Sequence, residues 1–249
     1  MRLPVLAGLI LPLPVAVDPV PSCAGPMEMT NVAVARVEKN GDLSLKDGRI
    51  AVLEGVRLPL RDGAPPALAQ EVLRSLRELT ATPLTLAAPG EDRYQRLGIQ
   101  AFGAGWLQAE LLRRGLARVA IAPGRQDCAP ELYKAEQEAR DAKRGLWAYP
   151  AFAIRKAAAV PISDTGTFQI VEGMLVNGAR HDGRIFLDFS QDYRHGFSAI
   201  VAPEDVRLFR RLKPESLAGR VIRLRGVIEE YDGKAEILLS NPGQIEFIN

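Results

Sequence analysis

Two turn dipeptides, Asn40-Gly41 and Asp47-Gly48, separate three short apolar runs at residues 32–37, 43–45 and 50–53. That punctuation admits little other than a tight antiparallel meander. Helical spacing takes over at 65–79, where Pro65 and Pro66 suit a helix start and Leu68, Val72, Leu73, Leu76 and Leu79 recur at helical intervals. Strands are predicted at 84–86 and 97–102 around a polar loop at 90–96. A helix at 106–114 closed by Gly115, a strand at 117–122 and a helix at about 131–143 follow. Residues 150–165 read as a linker or bridging strand. Beyond it lie strands at 166–176, 184–189, 197–201, 221–229, 237–239 and 245–248, with a short helix at about 203–212 after the third. That order suits a small Greek-key barrel of the OB type over 166–249. The expected class is α+β, mainly β.

The first 24 residues have a different character. Arg2 precedes an apolar run over 3–17, and Ser22 and Ala24 occupy positions −3 and −1 of a cut before Gly25, the pattern of a secretory signal. Pro4, Pro12 and Pro14 argue against a buried strand there, because proline removes ladder donors. The expected location is exported: periplasmic, secreted or envelope-anchored. Cys23 and Cys128 are the two cysteines, and three arrangements stay open. They pair in a disulfide; or a cut before Gly25 removes Cys23 and leaves Cys128 as a small semi-buried residue; or a cut before Cys23 gives a lipoprotein. No run of about 18 apolar residues lies in the body, so no internal membrane span is expected.

Charge is unevenly divided. Residues 30–161 hold 20 Lys and Arg against 15 Asp and Glu, a balance of +5, whereas 162–249 hold 11 against 13, a balance of −2. Neither half has the strong basic excess of a dedicated duplex binder. The two histidines, His181 and His195, stand apart in turn-like sequence, with no cysteine nearby to complete a zinc site.

Three stretches in order, NGDLSLKDGRIAVLEGVRLP, GEDRYQRLGIQAFGAGWLQAELLRRGLARVA and APELYKAEQEARDAKRGLWAYP, resemble the staphylococcal-nuclease-like (thermonuclease) family over about residues 31–149. The resemblance implies a five-stranded OB barrel with three helices. The segment SLAGRVIRLRGVIEEYDGKAEILLSNPGQIEFI is similar to the extra OB-like domain of some secreted bacterial members. The implied organisation is a signal at 1–24, a nuclease-like barrel at 31–149, a linker at 150–165 and a second barrel at 166–249.

Family nucleases cut phosphodiesters with one calcium ion and a water nucleophile. That chemistry needs carboxylate ligands for the hard cation, a carboxylate to orient the water, and two guanidiniums for the charge of the transition state. Carried over by position, the first metal carboxylate falls on Asp42 and the second catalytic arginine on Arg96, both kept. The first arginine falls on Val52, the second carboxylate on Arg57 and the general base on Leu60. The substrate-stacking tyrosines fall near Ile121 and Pro123. Asp62 is the one displaced acid after this stretch. A cation where the metal needs an anion, and the loss of a base and an arginine, each worth about 10²–10³ or more in rate, imply that calcium chemistry is essentially absent.

Asp42 and Arg96 are thus candidate catalytic remnants, although Asp42 also suits a turn and Arg96 an ion pair with Asp92. Arg93 and Tyr94 beside Arg96 are candidate substrate contacts. So are Arg207, Arg210 and Arg211 on the predicted short helix and Arg223 and Arg225 on one strand face, with Tyr193, Phe197 and Tyr231 for stacking. Trp106 and Trp147 read as core anchors. The expected function is a non-catalytic binding module for single-stranded nucleic acid or for an envelope protein or peptide, with no cofactor. The alternative is a weak or rearranged secreted nuclease holding calcium through Asp42.

Overall fold

A computed structural model describes residues 21–121, 126–192 and 194–248. Most of the signal-like segment, with Pro123 and Tyr193, therefore lies outside the described residues.

The first half contains β1 (Met29–Val32), β2 (Val34–Val37), β3 (Leu43–Leu45), β4 (Ile50–Leu53), β5 (Gly55–Arg57), α1 (Pro66–Leu79), β6 (Leu84–Glu91), β7 (Leu97–Phe102), α2 (Leu107–Arg113), β8 (Arg118–Ala120) and α3 (Ala129–Asp141). Its sheet runs β1-β6-β7-β4-β3-β2. The run expected as one strand at 32–37 is broken at Ala33, and the reason is topological. β1 pairs with β6 and β2 pairs with β3, so one bent segment supplies both ends of the sheet and its path returns to where it began. The β4–β7 pair is parallel and the other pairings in this path are antiparallel. α1 buries Leu68, Val72 and Leu76, four residues apart, and each such side chain contributes about 1.5–3 kcal/mol by leaving water. Gly115, at φ +70°, ends the turn after α2, as expected of a glycine past a helix end.

The second half contains β9 (Arg155–Lys156), β10 (Phe168–Met174), β11 (Asn177–His181), β12 (Arg184–Asp188), β13 (Ser198–Val201), β14 (Val221–Tyr231), β15 (Lys234–Leu238) and β16 (Ile245–Phe247). The order β11-β12-β13-β15-β14-β10 repeats the logic of the first sheet. β10 and β11 are consecutive pieces of one bent segment, and β13 pairs in parallel with β15. Both halves therefore share OB-like connectivity. Each has its own buried cluster, one centred on Leu43, Ile99, Leu111 and Leu132, the other on Ile185, Phe209, Leu224 and Ile237.

Two further expectations change. The helix expected at 203–212 is instead a short 3₁₀ turn, Val206–Phe209, and Lys213 at φ +46° separates it from a second turn, Pro214–Leu217. His181 ends a strand rather than a turn, since β11 pairs with β12. Residues 150–165 bridge the halves: β9 pairs in parallel with β10, and Phe152 and Ala157 are buried. Cys23 and Cys128 form a disulfide across 105 residues, which selects one of the three arrangements. Among the described residues no helix is long and apolar enough to cross a membrane.

Candidate functional site

The turn between β2 and β3 sets the position of Asp42. Gly41 has φ +87°, a conformation that favours glycine, and a Cβ there would also press on the end of the Leu58 side chain. The Asn40 amide donates to Asp42 Oδ2 at 2.9 Å, and its own carbonyl accepts the Asp42 backbone N–H at 3.1 Å. The carboxylate is 5% exposed and points at two guanidiniums. Arg61 Nη2 donates to Oδ1 at 2.6 Å and Arg96 Nη1 to Oδ2 at 3.2 Å.

Arg96 also faces Asp92, with Nη2 2.7 Å from Oδ2. The hydrogen bond that Arg96 donates to Asp92 holds the guanidinium above its ordinary range, and burial only partly opposes it. Asp92 Oδ1 accepts the backbone N–H groups of Tyr94 and Arg96 at 2.8 and 3.0 Å, so it orders the whole β6–β7 loop and its carboxyl lies below the usual range. Tyr94 leaves this loop 64% exposed, with the Arg93 and Arg96 guanidiniums 4.9 and 5.4 Å from its ring centre. Asp42, Arg96, Arg93 and Tyr94 thus form one continuous ledge, ending in an open aromatic ring.

A second cluster lies behind Asp42. Arg57 grips Asp62 through Nε and Nη2 at 2.9 and 2.6 Å, and Arg118 Nη2 reaches the other oxygen at 2.7 Å. Phe168 of the second half lies 5.3 Å from Arg57 and 4.9 Å from Arg118. Burial lowers the Arg118 pKa, with Asp62 opposing that shift. Between the two clusters is a cavity of about 120 Å³ walled by Val52, Leu53, Val56, Leu58 and Ala120, with Arg57, Arg61 and Asp42 at its polar side.

A calcium ion needs several free carboxylate and carbonyl oxygens at 2.3–2.6 Å. Here Asp42 has a guanidinium on each oxygen, and Asp62 has two guanidiniums on its carboxylate. No group of three or more acidic, histidine or cysteine side chains suited to a metal occurs among the described residues. The donor set does not fit calcium, and no hydrolytic step is derived through it.

The arginines expected to bind substrate in the second half have different fates. Arg207, Arg210 and Arg211 are exposed on and after the first 3₁₀ turn. Arg223 pairs with Glu172 at 2.8 Å and Glu246 at 3.0 Å. Arg225 is 1% exposed, bound to Glu136 of α3 through both terminal nitrogens and to Glu246 at 2.5 Å, with its guanidinium 4.6 Å from the Tyr133 ring centre. Arg223 and Arg225 do share a face of β14, but that face is the seam between the halves, so the expected open basic strand is corrected to a buried ionic joint. Phe197 is buried against Phe189, while Tyr231 is 70% exposed. Trp106 is buried and donates to Gln100 at 2.8 Å. Sequence reasoning missed Arg61, Arg118 and Glu136. The Leu-Arg-Asp that follows Pro59 offered a weak signal for the first, and nothing local points to Glu136, whose partner is 89 residues away.

An OB-type barrel with three helices, carrying an arginine-capped aspartate at its polar face, defines the class. Residues 67–149 match the family model described as staphylococcal nuclease homologue, so the chain carries a domain of that family and a nuclease-family relationship. The match includes Arg96 and starts after Asp42 and Arg57. A search of curated proteins found no match.

Proposed function

We propose that the chain is an exported binding module related to thermonucleases, in which calcium-dependent hydrolysis has given way to capture of single-stranded nucleic acid on the Arg93–Tyr94–Arg96 ledge. The capping of both Asp42 oxygens by Arg61 and Arg96 carries this reading, because it removes the ligand a calcium ion would need first. An exposed ring between two guanidiniums suits stacking on a base while the cations meet phosphates. The balance of +5 over residues 30–161 favours such a strand weakly and without sequence preference. The Cys23–Cys128 disulfide fits an oxidising compartment, which supports export.

The test is anisotropy of a labelled oligothymidine with the full chain, at low and moderate salt, together with incubation of denatured DNA in millimolar calcium. Salt-weakened binding without cleavage is expected. Cleavage that needs calcium and vanishes in Asp42→Ala would establish the weak-nuclease alternative. An anisotropy that stays flat even at low salt would remove nucleic acid as the ligand.

A further inference from the structure

We propose that the turn over residues 206–213, between β13 and β14, is a docking surface for an anionic phospholipid bilayer. Val206, Phe209 and Leu212 recur every third residue. The backbone N–H groups of Leu208 and Leu212 donate to the Asp205 and Phe209 carbonyls at 2.8 and 3.1 Å, so the segment keeps the three-residue period of a 3₁₀ helix. Residues three apart then share a face. Phe209 is fully buried, and Val206 and Leu212 pack on the same core. Two outward rows remain, Arg207 with Arg210 and Leu208 with Arg211, and Lys213 closes the turn. All five of these residues are exposed. The buried row anchors the turn, so its cations are held out from the barrel.

Charge identifies what the turn faces. None of its four cations is in an ion pair among the described residues. Glu204 and Asp205 precede the turn without pairing to it, and Glu215 beyond it is held by Arg180 at 2.6 Å. Residues 206–213 carry +4, whereas the rest of 162–249 has 7 Lys and Arg against 13 Asp and Glu, a balance of −6. The second half is therefore polarised. An anionic surface attracts this turn and repels the remainder, which orients the chain on the surface.

The apolar member of the outward rows separates lipid from nucleic acid. Leu208 is 39% exposed among the arginines. A leucine there can enter the headgroup layer while the guanidiniums meet lipid phosphates. A single strand needs an exposed ring to stack on its bases, and the one aromatic side chain in residues 202–220, Phe209, is buried. The turn therefore suits a lipid surface better than a strand. This proposal is independent of the ledge at Tyr94.

The experiment sediments full-length protein with vesicles of phosphatidylglycerol and phosphatidylcholine in equal parts, and with vesicles of phosphatidylcholine alone, at low and moderate salt. It is repeated with Leu208→Asp and with a double variant, Arg210→Gln with Arg211→Gln. These sites are exposed, and thermal melting of each variant checks folding. Each cation raises partitioning roughly fivefold, so half-binding is expected at about millimolar lipid in the phosphatidylglycerol vesicles, weakened by salt. The double variant should lose about thirtyfold and Leu208→Asp at least about fivefold. Equal binding to both kinds of vesicle, no binding to either, or no loss in the double variant overturns the proposal. So does an oligothymidine affinity that falls in the double variant while vesicle binding holds, which would assign the turn to nucleic acid.

Discussion

Arg225 on β14 and Glu136 on α3, separated by 89 residues, meet through two hydrogen bonds of 2.9 and 2.6 Å with almost no exposure of either side chain. Burial opposes the Arg225 charge, but Glu136, Tyr133 and Glu246 hold its pKa above the ordinary arginine value. Tyr133 donates to the Gly243 carbonyl, and Asn241 Nδ2 donates to the Ile121 carbonyl at 3.1 Å, so the seam is also tied by neutral bonds. The two halves are therefore expected to unfold together, in one transition. Arg225→Ala leaves Glu136 buried with its main partner gone, and a loss of about 3–5 kcal/mol in urea unfolding is expected. Two separate transitions in the unmodified protein would contradict this.

The same seam predicts an acid limit. Burial pushes the Glu246 carboxyl up, but Arg225, Arg140 and Arg223 outweigh it and hold the group below its usual range. A depressed carboxylate stabilises the fold above its unfolded value of about 4.3, and that stability is lost as pH falls through the lower folded value. Unfolding free energy should therefore fall as pH drops below about 5, and Glu246→Gln should flatten that slope. An unchanged slope would place the acid sensitivity elsewhere.

The disulfide closes a long loop, and its removal is expected to cost about 4–5 kcal/mol. For a chain of this size Cys128→Ser should lower Tm by roughly 10 °C or more. The pairing also requires that Cys23 survive any processing, so a cut before Gly25 is incompatible with this fold. Intact-mass measurement of exported protein should find Cys23 present and 2 Da missing for the bond; a chain starting at Gly25 would contradict the prediction.

Tyr94→Ala removes the exposed ring while leaving Asp92 to order the loop backbone through its N–H bonds. Stacking is worth about 1–3 kcal/mol per base, so oligothymidine affinity should fall roughly 5–150-fold with little change in melting. No loss of affinity would move any nucleic-acid contact away from the ledge.

Local elements were legible where the signal is local. Leu68, Val72 and Leu76 announced α1, and Asn40-Gly41 and Asp47-Gly48 announced the meander. The break at Ala33 was not, because it serves pairing with β6, about fifty residues away. β5 was missed because Gly55–Arg57 is too short for periodicity and exists through its pairing with β8. Likewise Arg96 and Asp42 stood out in the sequence, but their capping by Arg61 depends on a 3₁₀ turn at Pro59–Arg61 that folds back over the site. Arg225 read as a groove residue because alternation along β14 gives its face and says nothing of what covers that face.

The central claim is that Asp42 and Asp62 are held by guanidiniums and are unavailable to a divalent cation. Calorimetric titration of the folded chain with calcium tests it most directly. The account predicts no saturable heat up to millimolar calcium. A saturable one-site isotherm that disappears in Asp42→Ala would contradict it.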